Sequence, residues 1–144
     1  MKRILLALIF IGSLAQMGSS QFDFGVGLTY LERGSDIGLQ GKTFLGLSEF
    51  WGASVGADFI LTQDIVFDIN ADAHYRINIG QESRIHPLAG LNLAKFPDNS
   101  EIDIGVNFGL FASFPIQNRL QLYLEPKVIV GGLKTFVISA GVML

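Results

Sequence analysis

The sequence predicts an all-β fold: an eight-stranded antiparallel up-and-down transmembrane β-barrel, preceded by a cleavable signal peptide. Three observations predict it. Apolar residues recur at every second position along most of the chain. Turn-forming residues divide it into eight segments, each about long enough to cross a bilayer as a tilted strand. Finally, 49% of the residues are hydrophobic and only 16% charged, so there is much apolar surface to place. Beyond the N-terminus no apolar run approaches the ~20 residues that a spanning helix needs, so this surface has to be spread over strands.

The N-terminus has the three-part layout of a secretory signal peptide. Met1, Lys2 and Arg3 make a positive start, Ile4 to Ile11 an apolar run, and Gly12, Ser13, Ala15, Gly18, Ser19 and Ser20 a small, polar tail. The small-residue rule is met by a cut after Ala15 or after Ser20. Ala15 sits close against the apolar run, which favours Ser20. The expected organisation is therefore a signal peptide over 1–20 and a barrel domain over 21–144. Without Lys2 and Arg3, 8 basic residues face 13 acidic ones, a net charge of −5, and no basic patch for nucleic acid is present. Cysteine is absent, which excludes a disulfide-built secreted scaffold.

The alternation is clearest in two places. Phe22, Phe24, Val26, Leu28 and Tyr30 share one face, and Asp23, Gly25, Gly27 and Thr29 the other. Ile102, Ile104, Val106, Phe108, Leu110, Ala112 and Phe114 repeat the pattern against Asp103, Gly105, Asn107, Gly109, Phe111 and Ser113. A period of two over this length is a strand signal. Continued along the chain it predicts strands at about 22–31, 37–48, 52–62, 65–78, 85–96, 101–114, 119–130 and 135–144. The breaks carry turn chemistry at Arg33-Gly34-Ser35-Asp36, Thr62-Gln63-Asp64, Gly80-Gln81-Glu82-Ser83, Pro97-Asp98-Asn99-Ser100, Pro115-Ile116-Gln117-Asn118 and Gly131-Gly132. The break at Glu49 to Trp51 has neither Pro nor Asn. An even number of strands with short turns closes into a barrel and leaves no open edge. Pro87 and Pro126 fall inside predicted strands, so a bulge or a lost ladder bond is expected at Pro126.

Alternation fits a barrel with its apolar face toward lipid or one with that face inward around a ligand. Volume decides between them, because an eight-stranded barrel has room inside only for side chains. The polar face is rich in small residues, among them Gly25, Gly27, Gly56, Gly90, Gly105, Gly109, Gly141 and Ser54. Such residues suit a crowded interior and not a solvated outer face. The apolar face carries too much bulk to fit inside. Aromatic placement agrees: Phe22, Phe24, Phe50, Trp51, Tyr75 and Phe114 fall toward one end, and Tyr30, Phe59, Phe67, Phe96 and Phe136 toward the other. Together they make the two belts of a membrane barrel.

The leader, the eight alternating segments, the hairpin Phe114-Pro115-Ile116-Gln117-Asn118-Arg119-Leu120 and the final stretch from Phe136 to Leu144 resemble the small bacterial outer-membrane β-barrel family, the OmpA/OmpX-like group. The resemblance covers the whole mature chain. It implies residence in the cell outer membrane, contact with outer-membrane lipid, and insertion by the barrel-assembly machinery, which reads an apolar last strand. The chain departs from the family in ending on Leu144, where an aromatic residue is usual, and in having no long loop.

The chemistry-bearing residues fall on the inward parity. Asp68, Asp72, His74 and Arg76 share the fourth segment, and Glu125 and Lys127 the seventh; Lys42, Asp58, Asp23, His86 and Asp103 join them. Buried charges require partners, so an interior polar network formed by Asp68, Asp72, His74, Arg76, Glu125, Lys127, Lys42 and Asp58 is expected to fill the barrel. Arg76 and Lys127 are the expected central cations. A lipid A-modifying enzyme would need histidine, serine and carboxylate together near the lipid. His74 and His86 are the only histidines, and the residues two positions on are Arg76 and Leu88. A metal site from Asp72 and His74 would have two ligands on one strand, a weak pattern. The expected function is a non-enzymatic structural or interaction role at the envelope, with no catalytic residues, cofactor, metal ion or nucleic-acid partner, and no motif that specifies a ligand. The alternatives are an exported, soluble, lipocalin-like barrel that binds a hydrophobic ligand, and the lipid A-modifying enzyme.

Overall fold

Strands form where bulky and small or polar residues alternate, because successive side chains on an extended backbone point to opposite faces. The computed structural model describes residues 22–61, 67–79, 83–96, 101–117, 119–132 and 134–144. The expected leader and the expected turns at 62–64, 80–82 and 97–100 lie outside the described residues. The strands are β1 (Phe22–Leu31), β2 (Asp36–Gly46), β3 (Trp51–Ile60), β4 (Phe67–Tyr75), β5 (Ile77–Ile79), β6 (Ser83–Lys95), β7 (Ile102–Gln117), β8 (Leu120–Gly131) and β9 (Thr135–Met143). All pairings are antiparallel; they join chain neighbours except that β4 pairs with β6 and β1 with β9, from Gly25↔Met143 to Leu31↔Val137. That pairing closes the sheet into a barrel.

β4 and β5 are one barrel strand. His74↔Leu88 and Ile77↔Ile85 belong to the same register against β6. The register places Tyr75 opposite Pro87, which has no N–H to give, and the ladder is interrupted there. Arg76 N–H donates on the other flank to the Phe50 carbonyl at 2.7 Å. Counted this way, the closed sheet has eight strands. Pro126 acts similarly. Pairing of β7 with β8 stops at Gly109↔Lys127 and resumes at Ala112↔Leu124 in the same register, so a stretch of ladder is lost and no bulge forms. The irregularity lies instead between Pro115 and Gln117. There β7 runs on past Phe114 to Gln117, so Pro115, expected in the turn, lies within the strand. At the boundary without Pro or Asn, the Ser48 hydroxyl accepts from Trp51 N–H at 3.0 Å and closes the β2–β3 turn.

The two ends of the barrel are distinct. The near end holds Phe22, the Ser48 turn, the β7–β8 turn and Leu144. The far end holds the turns after Leu31 and Gly131, where Ser35 and Gly131 take positive φ values of 54° and 103°. β1 to β4 have 10, 11, 10 and 9 residues, close to the roughly 9–11 that span a bilayer at a tilt.

Inside, glycines make room for aromatic rings. A Cβ on Gly25 would lie 3.3 Å from the Tyr123 ring, and one on Gly141 would lie 2.8 Å from it. On Gly27 it would strike the Tyr123 hydroxyl. Tyr123 therefore lies across the glycines of β1 and β9 and covers backbone that has no side chain of its own. Phe44 covers Gly52 in the same way. Gly141→Val would also drive its side chain into the Val26 carbonyl. It is expected to cost about 3 kcal/mol or more, the upper end of overpacking effects. The outward Gly41, whose Cβ would meet nothing within 4 Å, should accept valine with a change under about 1 kcal/mol. Urea unfolding in lipid vesicles compares the two.

Candidate functional site

The site is the lumen, built as three layers. At the far end Leu31, Ile60, Ala94, Ile129 and Val137 form an apolar cluster. At the near end Phe44, Leu88, Phe111, Tyr123 and Met143 form another, with His74 and His86 packed into it: His74 meets Phe44 edge-on at 5.0 Å and His86 lies 5.3 Å from Phe111. The buried network of Lys, Asp, Glu, Asn and Gln side chains lies between. The sequence leads one to expect a polar interior throughout; instead the polar middle is closed at both ends by apolar side chains.

The ionic centre uses three strands. Lys42 from β2 donates to the Glu125 carboxylate on β8. Lys127, two places along β8, lies 3.2 Å from Glu125 Oε1 and 3.7 Å from Asp72 Oδ2 on β4. All four side chains are 0–1% exposed. Lys42 Nζ also stands 5.4 Å from the Phe111 ring centroid, a position that the ring's quadrupole favours. Amides carry the network outward from there. Asn107 Nδ2 donates to Asp72 Oδ1 at 2.7 Å and to Asn70 Oδ1 at 2.8 Å. Asn70 Nδ2 donates to Asp58 at 2.9 Å and to Asp68 at 3.2 Å, and Asn92 donates to Asp68 as well. Gln40 joins Asp58 at 2.8 Å to Ser139 at 3.0 Å, and accepts from the Tyr123 hydroxyl at 2.8 Å.

This arrangement answers a mismatch in the sequence, where the six inward acids Asp23, Asp58, Asp68, Asp72, Asp103 and Glu125 face Lys42, Arg76 and Lys127. Asp23 and Asp103 are half-buried near the barrel ends. Asp58 and Asp68 are held by carboxamide N–H donors in place of cations. Of the expected network, Asp58, Asp68, Asp72, Glu125, Lys42 and Lys127 meet in one connected set. His74 lies in the near layer, where its Nε2 is 2.8 Å from Ser54 Oγ. Arg76 is not a central cation: it sits at the near rim, with Nη1 donating to the Ser48 carbonyl at 3.1 Å. The physical reason is its position along the strand, beyond both His74 and the aromatic layer. Lys42 takes the central place expected for it.

Ser54 with His74 is the pairing that sequence reasoning misses, since it depends on register: Ser54 pairs with Asp72 and Gly52 with His74. Among the described residues the His74 Nδ1 has no hydrogen-bond partner; in a nucleophile–base pair a third group orients the base at that position. Among the described residues no group of three or more His, Asp or Glu side chains is arranged to hold a metal ion.

The outer wall is apolar. Phe22, Phe24, Phe50, Trp51, Tyr75 and Phe114 are exposed at the near end, with Trp51 edge-on to Tyr75 at 5.3 Å and Phe50 stacked on Tyr75 at 6.4 Å. Tyr30 and Phe59 are exposed toward the far end, with Phe67 6.0 Å from Phe59 and Phe136 half-buried. Phe96 is the exception. It packs against the interior apolar cluster, with the Arg33 guanidinium 5.9 Å over its ring, and does not belong to the belt. Alternation carried past Ala94 already points it inward.

No protein-family model matches the chain, and no curated protein matches it. Solved structures do. The N-terminal β-barrel domain of Pseudomonas aeruginosa OprF superposes with a TM-score of 0.69 at 12% identity, over 87% of this chain and 97% of that one. A major outer membrane protein from Thermus thermophilus gives 0.65 at 11% identity, over 87% and 98%. The fold is that of the small outer-membrane β-barrels. A de novo designed transmembrane β-barrel also matches, with a TM-score of 0.62 at 14% identity over 89% and 96%. A designed chain shares no ancestry with this one, so that likeness reflects the geometry that a closed, membrane-crossing sheet demands.

Proposed function

We propose that the protein resides in the bacterial outer membrane as an integral barrel with a sealed, side-chain-filled core, and that it serves the envelope in a structural or interaction role without catalysis. The observation that carries this reading is the barrel's polarity. Its buried charges lie inside between two apolar layers, while exposed apolar residues such as Val26, Leu28, Val55, Phe108 and Val128 cover the outside. The lipocalin-like alternative fits poorly with an interior that holds Lys42, Lys127, Glu125 and Asp72. The lipid A-modifying alternative would need its histidine at the lipid face, whereas His74 and His86 point into the lumen.

Two measurements test the proposal. In cell fractionation the protein should stay with the detergent-extracted outer membrane. In planar bilayers it should show no steady conductance, because Leu31, Ile60, Ile129 and Val137 close one end and Phe44, Phe111 and Tyr123 the other. Large, stable channel currents would mean that the interior is an aqueous pore.

A further inference from the structure

The near mouth carries charges that the central network does not use. On the inward faces of β5 and β6, Arg84 lies opposite Asn78, and the same register brings Arg76 opposite His86. On β7, Ser113 is paired with Arg84 and Phe111 with His86. The two guanidiniums act electrostatically on each other and on His86. Asp23, on β1, acts on both arginines but, among the described residues, forms no ion pair with either.

Several donors in this corner are unused. His86 is 1% exposed, and among the described residues neither of its ring nitrogens has a hydrogen-bond partner. Arg76 spends Nη1 on the Ser48 carbonyl, while its buried Nε has no partner among the described residues. Among the described residues no hydrogen bond or ion pair reaches the Arg84 guanidinium. Buried donors without acceptors are costly, and two like charges side by side add to the cost. An external oxyanion would relieve both.

The donor chemistry narrows the class. Guanidiniums match oxyanions with paired N–H groups, imidazole adds another N–H, and the Ser113 hydroxyl lies on the next strand. Donors arriving from three strands suit the several oxygens of a tetrahedral phosphate better than the two coplanar oxygens of a carboxylate. The aromatic layer beneath, with Phe44 and Phe111, forms a floor that holds such a group at the mouth. We propose that the near mouth is a phosphate-binding site formed by Arg76, Arg84 and His86. The phosphate belongs either to a free phosphate monoester or to a lipid headgroup, since the mouth opens at the level of the headgroups.

The test is calorimetric titration of the whole barrel, folded in maltoside micelles, with inorganic phosphate in one arm and short-chain phosphatidic acid in the other. One-site binding is expected, weakened about tenfold or more by Arg84→Gln, the change expected from losing a charge-assisted contact. Arg119→Gln, in the exposed turn at the same end, should leave it unchanged. Among the described residues Arg84 makes no hydrogen bond or ion pair and stands near the like charge of Arg76, so Arg84→Gln should unfold no more easily than the parent. Tighter binding of phosphatidic acid than of inorganic phosphate, with the same dependence on Arg84, assigns the site to a lipid headgroup. Equal or weaker binding assigns it to a free phosphate. Absence of saturable binding in both arms, or binding indifferent to both Arg84→Gln and Arg76→Gln, overturns the proposal.

Discussion

Lys127→Met is expected to destabilise the barrel by about 3–5 kcal/mol, the usual effect of removing one partner from a buried ionic cluster. Lys127 lies between Glu125 and Asp72, and all three side chains are fully buried. Methionine fills much of the lysine's volume, so packing changes little and the loss is mainly electrostatic. Glu125 keeps Lys42, but among the described residues Asp72 is left with the Asn107 amide as its only side-chain partner. Adding Asp72→Asn to Lys127→Met removes the stranded charge and should recover part of the loss, because deleting both members of a buried pair is milder than deleting one. Arg76→Ala should change stability by no more than about 1 kcal/mol, since the one side-chain hydrogen bond that Arg76 makes among the described residues is at the exposed rim. Urea unfolding in lipid vesicles, followed by tryptophan fluorescence, reads all three. Parent-like stability of Lys127→Met would mean that the ionic centre does not hold the barrel together.

The contrast between Lys127 and Arg76 shows what the sequence makes legible. Both residues lie on the inward parity, and parity follows from alternation alone. Depth along the barrel does not, because it depends on how each strand registers with its neighbours, and register is set by contacts distant in the chain. Arg76 is therefore readable as inward but not as a rim residue. The Ser54–His74 contact stays hidden for the same reason: it requires the β3–β4 register, in which Ser54 faces Asp72. Layering is partly visible. Phe44, Phe111 and Tyr123 stand on the inward parity, yet nothing local shows that they meet as one layer on glycines from other strands. The prolines are more informative. Their missing N–H groups predict lost ladder bonds wherever they sit in a closed sheet, and pairing of β7 with β8 fails at Pro126 as a result.

Val55→Arg is expected to destabilise the barrel by about 2–4 kcal/mol in lipid, the cost of an arginine at the midplane of the outer face of a membrane barrel. Val55 is 58% exposed on the outside of β3, four residues from Trp51 toward the near end and four from Phe59 toward the far end. Four residues of strand span about 13 Å, so the new guanidinium would have to stretch far along the wall to reach headgroups in either direction. Its cross-strand neighbours are Thr43 and Ala71, which offer at most one hydroxyl. Leu61→Arg is the matched control. Leu61 is 70% exposed just past the far end of the same strand, where a cation reaches water and headgroups and should cost about 1 kcal/mol or less. The two substitutions make the same chemical change on the same outer surface, so the difference between them isolates depth in the bilayer. A soluble barrel predicts no such difference, because both arginines would point into water. Urea titrations of the two variants in vesicles therefore decide whether the apolar wall faces lipid, and equal stabilities for Val55→Arg, Leu61→Arg and the parent protein would count against a membrane-spanning barrel.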